Sequence, residues 1–266
     1  MTPIAKSKVR GVPVLNYHGL FSSDAGEQQN RLSVSQAAFA SHLEQINRDA
    51  FAVCPLPGLW CPADGFAESH KALAVTFDDG RASDYEIAFP LLMQAGFGGD
   101  FFVNTATVGQ QGYLTWAQMK EMHRSGMSFQ SHGHEHVDHS RLSRAELKHQ
   151  LQESKREIED HLGSEVQFFA APYGEWNRSV ADIARELGYR AICATAGQLA
   201  DQEAEIIDRI CIDAETTLKE ISAILARDPV FFATRNLQYR MKQVPKIIAL
   251  RLFPAAVDAW RERNHE

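Results

Sequence analysis

The stretch Ala72-Leu-Ala-Val-Thr-Phe-Asp-Asp-Gly80 joins an apolar run directly to two carboxylates and a glycine. A short apolar run that ends at a turn residue is typical of a strand buried on both faces. Adjacent carboxylates repel each other, and a divalent cation compensates that repulsion directly. The stretch therefore predicts a buried strand that delivers Asp78 and Asp79 to a functional site, although Asp-Asp-Gly alone is also a common turn sequence.

Apolar runs and segments of helical periodicity alternate along the rest of the chain. Strands are predicted over residues 12–16, 72–77, 100–104, 127–131, 166–171, 189–195 and 206–212. Helices are predicted over residues 35–49, 85–94, 115–126, 143–162, 177–187 and 217–226. Pro90 predicts a kink or break in the second of these helices. Strands that alternate with helices form a mostly parallel sheet, and about seven of them suit a distorted (β/α) barrel, in the α/β class.

Length and composition favour a single domain with a C-terminal addition. The chain has 266 residues, of which 44% are hydrophobic, and α/β barrels often reach this length undivided. We assign residues 1–228 to the barrel and residues 229–266 to a basic helical extension. Within the extension, residues 230–253 carry no acidic side chain and five basic ones, Arg235, Arg240, Lys242, Lys246 and Arg251. This segment either packs on the barrel as a terminal helix or contacts a membrane surface or an anionic polymer.

Charge, cysteine spacing and the N-terminal sequence exclude several classes of protein. The formal net charge is −7, and we expect no nucleic-acid partner because such binders usually carry a basic face. The four cysteines lack C-x-x-C spacing, which favours ordinary thiols over a zinc ribbon or a thioredoxin-like site. The N-terminus lacks the apolar segment of a signal peptide. We expect a cytoplasmic protein, or a periplasmic or extracellular one if an export signal has been removed.

A second polar cluster, Ser131-His-Gly-His-Glu-His-Val-Asp-His139, holds four histidines. Imidazole is a common ligand of zinc and related metals, although a solvated polar loop would also account for the run. His132 and His136 could face one metal from a helical turn or a tight loop, and His132 with His134 is the competing pair. Spacing favours neither. One aspartate with two histidines leaves positions open for water and substrate, which is the layout of a catalytic site.

Three motifs resemble those of the polysaccharide deacetylase family, which shares the chitooligosaccharide deacetylase homology domain. Thr76–Gly80 is similar to its first motif, the His132–His136 segment to its second, and Phe169–Gly174 (Phe-Ala-Ala-Pro-Tyr-Gly) to its third. With further similarity at Tyr113–Trp116 and Gly188–Ala191, the resemblance covers most of the chain. It implies a metal-dependent hydrolase that removes N-acetyl groups from an N-acetylated sugar or polysaccharide, releasing acetate and a free amine.

The resemblance also implies roles for individual residues. Asp79, His132 and His136 would bind the metal, and Asp78 would be the general base that deprotonates the attacking water. The backbone N–H of Tyr173 would stabilise the oxyanion of the tetrahedral intermediate. Zinc is the expected metal, with cobalt, nickel, manganese or iron as alternatives.

The opening Pro-Val-Leu-Asn-Tyr-His sequence, which ends at His18, resembles a permuted branch of poly-N-acetylglucosamine deacetylases. That branch carries a histidine on its first strand, so His18 is the expected general acid for the leaving amine. Phe21 lies next to a motif loop and could stack on a sugar, whereas Trp116 is expected to be a packing residue. The residues expected to contact the substrate are Pro172, Tyr173, Gly174 and Trp176.

Two features depart from the family pattern. Members often carry an arginine in the third motif beside the base, where this chain has Ala170 or Ala171, and Arg209 is the candidate substitute. The usual Leu-x-His motif is missing, because the only histidine after His161 is His265. Two rival readings remain. The first is a deacylase of a small amide or a lipid-linked sugar, and the second is a non-catalytic carbohydrate- or metal-binding relative.

Overall fold

The computed structural model describes residues 10–22, 30–60, 71–195, 197–201, 205–237 and 241. Its strands are β1 (Arg10–Val12), β2 (Val14–Tyr17), β3 (Leu20–Phe21), β4 (Val34–Ser35), β5 (Ala52–Val53), β6 (Ala72–Phe77), β7 (Asp100–Val103), β8 (Ser128–Ser131), β9 (Phe168–Ala170), β10 (Ala191–Ala194), β11 (Ala200–Asp201), β12 (Ile206–Asp208) and β13 (Ile210–Cys211). Its α-helices are α1 (Gln36–Arg48), α2 (Leu56–Trp60), α3 (Phe89–Ala95), α4 (Trp116–Arg124), α5 (Arg144–Leu162), α6 (Arg178–Glu186) and α7 (Leu218–Leu225).

Parallel strands form a nearly closed barrel, in the order β12-β10-β9-β8-β7-β6-β2-β13. The predicted strand over residues 206–212 is interrupted at Arg209, which separates β12 from β13. β12 pairs with β10, whereas β13 pairs with β2 on the other side of the sheet. The chain itself therefore links the two edges of the barrel at Arg209. This confirms the predicted distorted (β/α) barrel with about seven strands.

Alternation along the strands separates two apolar regions. Outward-facing Phe77, Phe101 and Phe129 stack on neighbouring strands, with ring centroids 4.8 Å and 5.5 Å apart, and pack beneath the surrounding helices. A smaller cluster, which includes Phe102 and Phe168, fills the barrel interior. Because side chains alternate between faces, polar residues on the inward register lie inside the barrel rather than among the helices.

The predicted caps set the ends of the longest helix. Ser143 and Glu146 each bond the other's backbone N–H in a capping box at the start of α5. Gly163 ends the helix in the left-handed conformation, with φ at 69°. The irregularity expected at Pro90 is a π-helical turn at Asp84–Ala88, which runs directly into α3. Pro90, the second residue of α3, has no N–H to donate to a carbonyl of that preceding turn.

Several short elements were not predicted, because two to five residues carry too little periodicity. β1 pairs antiparallel with β11, β3 pairs with β4, and β5 pairs with the first two residues of β6. The five-residue helix α2 inserts Leu56, Leu59 and Trp60 into the interior cluster. The backbone N–H of Leu56 bonds Asp100 at the start of β7, so α2 closes the N-terminal end of the barrel.

Most of the predicted C-terminal extension lies outside the described residues, and its boundary at residue 229 stays a prediction. Residues 229–237 are helical, with Phe232 buried against the core. Arg235 donates from Nη2 to the carbonyl oxygen of Cys211 at 2.7 Å, so this basic side chain packs on the barrel. The other four basic residues, Arg240, Lys242, Lys246 and Arg251, lie outside the described part. Among the described helices, none is long and apolar enough to cross a membrane.

Candidate active site

The polar motifs meet at the C-terminal end of the barrel. His18 follows β2, the Asp78–Asp79 pair follows β6, His132 follows β8, and the turn Pro172–Gly174 follows β9. Because carboxyl ends of parallel strands share one edge of a barrel, residues far apart in sequence come together here. The loop after β8 also brings His136 to the same place.

Asp79, His132 and His136 form a group that can hold a metal ion. Oδ1 of Asp79 lies 3.6 Å from Nε2 of His132 and 3.5 Å from Nε2 of His136. This oxygen is buried and has no hydrogen-bond partner among the described residues. A buried, unsatisfied carboxylate oxygen that faces two imidazoles is unfavourable until a cation or proton joins them. One oxygen and two nitrogen ligands suit zinc and similar ions, so the site fits a divalent metal.

The structure separates the two histidine pairs that spacing left open. His134 lies outside the metal group, because its Nδ1 faces Thr105 Oγ1 at 2.8 Å and Glu157 Oε2 at 3.4 Å. His139 is buried with its ring 5.3 Å from that of Phe169. A Cβ at Gly133 would lie 2.6 Å from the His139 ring, so the turn between the ligands requires glycine.

The segment that ends β9 supports both histidines of the metal group. Nδ1 of His132 lies 2.8 Å from the carbonyl oxygen of Ala170. That carbonyl accepts a hydrogen bond from Nδ1–H and so leaves Nε2 free to bind a metal. The ring of Tyr173 meets His136 edge to face, with centroids 4.7 Å apart at 70°. The third motif therefore orients the second.

Asp78 is held in its ionised form by Arg209. Nη1 and Nη2 of Arg209 lie 2.7 Å and 2.8 Å from Oδ1 and Oδ2 of Asp78, and both side chains are buried. Asn16 donates from Nδ2 to Oδ2 of Asp78 at 3.0 Å, and its own Oδ1 accepts from Arg209. Burial alone would raise the pKa of Asp78, but the charge of Arg209, followed by those of His132 and His18, lowers it to about 2. Arg209 thus stands where the substitute for the third-motif arginine is expected.

His18 lies beside the same carboxylate. Its Nε2 is 3.8 Å from Oδ2 of Asp78, and its side chain is 16% exposed. Burial lowers the pKa of His18, and the charges of Asp78 and Asp79 partly oppose that effect. Burial likewise acts to raise the pKa of Asp79, but the contacts with His132 and His136 hold it well below its usual value. The site therefore places an imidazole and an ionised carboxylate side by side.

Comparison with known proteins agrees with this geometry. Residues 67–192 match the family model for polysaccharide deacetylase. The matched residues include all three motifs and are similar to a polysaccharide deacetylase domain. The resemblance carried by its three motifs is confirmed.

Individual relatives of the chain are distant. YxkH of Bacillus subtilis (strain 168), whose name places it among polysaccharide deacetylases, is 26% identical over 188 residues, covering 70% of this chain and 65% of YxkH. The poly-beta-1,6-N-acetyl-D-glucosamine N-deacetylase of Staphylococcus aureus (strain MRSA252) is 24% identical over 198 residues, covering 69% of this chain and 68% of that protein. The deacetylase PplD of Streptococcus pyogenes, solved with acetate, shares the fold with a TM-score of 0.74 and 23% identity, covering 81% of this chain and 98% of that one.

Backbone strain falls on two of the predicted site residues. Asp79 and Tyr173 have positive φ angles of 77° and 60°, and the described residues include two other non-glycine cases, Ala50 and Arg227. Such conformations cluster where a fold holds functional groups in place.

Trp176, three residues beyond Tyr173, is 38% exposed, so its indole is open to a ligand. Trp116 stacks on His161 at 4.0 Å, as expected of a packing residue.

Three residues of the site were missed by sequence reasoning. Asn16 and Thr76 are inward-facing polar residues in otherwise apolar strands, and Thr76 donates to Oδ1 of Asn16 at 3.0 Å. A polar residue that interrupts an apolar strand was the sequence signal that could have identified Asn16 and Thr76. Arg81, one residue past the first motif, lies 3.5 Å from Oδ2 of Asp79 through its Nε.

Proposed function

We propose that this protein is a metal-dependent N-deacetylase, which hydrolyses acetamido groups on an N-acetylated glycan to acetate and free amine. The observation that carries the proposal is the position of Asp78 beside the Asp79–His132–His136 group. Its ion pair with Arg209 keeps Asp78 ionised there. The match to the polysaccharide deacetylase model supports the reaction class. The N-acetylglucosamine polymer named for the Staphylococcus aureus relative supports a polymeric substrate.

Zinc is the proposed cation, held by Asp79, His132 and His136, because one carboxylate and two imidazoles are ligands that zinc accepts in catalytic sites. Cobalt, nickel, manganese or iron would bind the same donors. When bound, such a cation polarises a carbonyl oxygen and lowers the pKa of a water to roughly 7.

Asp78 is the proposed general base. Its pKa of about 2 keeps it ionised near neutral pH, so it can accept a proton there. The same ion pair makes it a weaker base than a free carboxylate. Its action therefore depends on an attacking water that is already acidified, which explains why base and metal ligands occupy adjacent residues.

His18 is the proposed general acid, and Tyr173 the proposed oxyanion donor. Nε2 of His18 lies 3.8 Å from Oδ2 of Asp78, so the proposed acid and the proposed base lie next to each other. The positive φ of Tyr173 fixes the direction of its backbone N–H at the end of β9. Pro172, Gly174 and Trp176 extend this turn and are proposed to contact the sugar, with the exposed indole of Trp176 as its stacking surface.

A lipid-linked sugar is the second candidate substrate. In the helix over residues 229–237 and at residue 241, the apolar side chains of Val230, Leu237 and Met241 are 74%, 61% and 66% exposed. Exposed apolar side chains beside the basic sequence of residues 230–253 suit peripheral contact with an anionic membrane. Recovery of the protein on anionic but not on neutral lipid vesicles would support this contact.

The test measures acetate release from an acetylated polymer, an oligomer and a lipid-linked sugar, after chelation and after return of zinc. We expect activity on at least one substrate, only with metal present. Asp78→Asn should retain metal and lose at least about 100-fold in turnover, since a general base contributes 10²–10⁴-fold. The matched control, Asp160→Asn, changes an acid on α5 that is 63% exposed. Full activity of Asp78→Asn refutes the base assignment, and bound metal with no turnover would favour a non-catalytic relative.

A further inference from the structure

The two oxygens of Asp79 face different partners. Oδ1 points toward the ligand histidines at 3.5–3.6 Å. Oδ2 lies 3.5 Å from Nε of Arg81, whose side chain is 21% exposed while that of Asp79 is 8% exposed. The positively charged side chain of Arg81 therefore lies next to the Asp79 oxygen that the histidines do not face.

The guanidinium of Arg81 is held in place by the loop that precedes α4. Its central carbon lies 5.2 Å from the ring centroid of Tyr113, a distance typical of a cation–π contact. The backbones of Arg81 and Tyr113 also form an antiparallel bridge. Hydrogen bonds of 2.9 Å from Leu114 N to Gly80 O and from Ala82 N to Gly112 O flank that bridge. The loop therefore holds Arg81 next to Asp79.

This arrangement bears on how Asp79 binds a cation. A carboxylate can offer a metal one oxygen or two, and a second oxygen occupies a position that water or substrate would otherwise take. A guanidinium at Oδ2 satisfies that oxygen and repels a cation from its side of the carboxylate. Partners of ligand side chains orient the ligands and tune the metal in this way.

We propose that Arg81 is a positioning residue that restricts Asp79 to one metal-facing oxygen and so keeps coordination positions open for water and substrate. The inference rests on the proposed metal site. Tyr113 contributes to this restriction indirectly, because its ring holds the guanidinium of Arg81 in place.

The test uses the full chain loaded with cobalt, whose visible absorption weakens as its coordination number rises. Relative to the wild type, Arg81→Gln should lose absorption intensity at equal cobalt content, because Asp79 can then bind through both oxygens. Arg81→Lys should restore part of the intensity. Tyr113→Ala should show a smaller loss, and Tyr113→Phe, which keeps the ring, should match the wild type. Deacetylation by the zinc form of Arg81→Gln should fall by about 10–100-fold.

Arg178→Gln is the control, since Arg178 on α6 is 93% exposed and also pairs with an aspartate. Its spectrum and the melting temperature of its metal-free form should match the wild type. If Arg81→Gln does not fold, the contrast between Tyr113→Ala and Tyr113→Phe decides the question. Identical spectra for wild type and Arg81→Gln, with cobalt bound to both, overturn the role of Arg81 alone. Failure of the wild type to bind cobalt overturns the metal site as well.

Discussion

The two ends of the barrel interior each contain a buried carboxyl group, and below about pH 7 the two groups are in opposite charge states. At the C-terminal end, Asp78 is paired with Arg209 and has a pKa of about 2. At the N-terminal end, Asp100 accepts a hydrogen bond from Leu56 N at 2.8 Å, and burial raises its pKa to about 7. Both side chains are buried in one barrel. The neighbouring cation, rather than burial, therefore decides which carboxyl is ionised.

The contrast separates the work of the two ends. Around Asp78, the buried polar groups of Asn16, Thr76 and Arg209 form one hydrogen-bonded network beside the metal group. Around Asp100, the neighbours are the α2 helix and the apolar interior cluster. In barrels of this kind chemistry gathers at the C-terminal end, and the opposite end contributes stability.

Removing the positive charge of Arg209 from the C-terminal end should have the largest effect on stability. Arg209→Met leaves Asp78 buried without its partner, so we expect the free energy of unfolding to fall by about 3–5 kcal/mol. Deacetylation should fall with it, because Asp78 is no longer oriented. Denaturant unfolding and acetate release measure the two losses.

The double variant Asp78→Asn with Arg209→Met is the control for this prediction. Because it removes both charges, it should regain most of the stability that Arg209→Met loses while staying inactive. A double variant as unstable as the single one would show that Arg209 stabilises the fold by packing, for example through its contact with the Phe102 ring at 5.0 Å.

Replacing the ionisable carboxyl group at the N-terminal end should change stability less, and in the opposite direction. With the pKa of Asp100 raised to about 7, only the unfolded chain ionises this group between pH 4 and 7. Stability is therefore lost as pH rises through that window, and the loss is complete above it. Asp100→Asn should be more stable than the wild type by on the order of 2–4 kcal/mol at pH 8, and nearly equal to it at pH 4. Urea unfolding at both pH values provides the measurement, and a gain independent of pH would contradict the neutral state of Asp100.

Truncating Asn16 should have the smallest effect of the three. Asn16→Ala removes the 3.0 Å hydrogen bond to Asp78 and leaves the polar groups of Arg209 and Thr76 with fewer partners. We expect a loss on the order of 1–2 kcal/mol in unfolding free energy, with the Arg209–Asp78 pair intact. If the loss equals that of Arg209→Met, the amide rather than the guanidinium holds Asp78.

Much of the barrel was predictable because each long element carries its own signal. The capping box of Ser143 and Glu146 and the stop at Gly163 gave the limits of α5 correctly. The break at Arg209 was not predictable, because the apolar pattern runs through both halves of the segment. Only the register of both neighbours, β10 and β2, shows that the barrel closes there.

The three residues of the metal group were predictable from the sequence, whereas Asn16, Thr76 and Arg81 were not, and the geometry was only partly predictable. Spacing left His134 and His136 as equal alternatives, and the resemblance favoured His136, which the structure places beside Asp79. The contacts of Arg81 with Asp79 and Tyr113 depend on a loop bridge that has no local sequence signature. The role of Arg209 as partner of Asp78 was a candidate from the sequence, but its bidentate geometry needed coordinates.

The number of zinc ions bound per chain, in the wild type and two histidine variants, tests the central claim most directly. Asp79, His132 and His136 form a group that can hold one cation, whereas His134 faces Thr105 and Glu157. We predict about one equivalent for the wild type and for His134→Ala, and a loss of tight binding for His136→Ala. Full uptake by His136→Ala, or loss of uptake only in His134→Ala, would contradict the site and the hydrolase built on it.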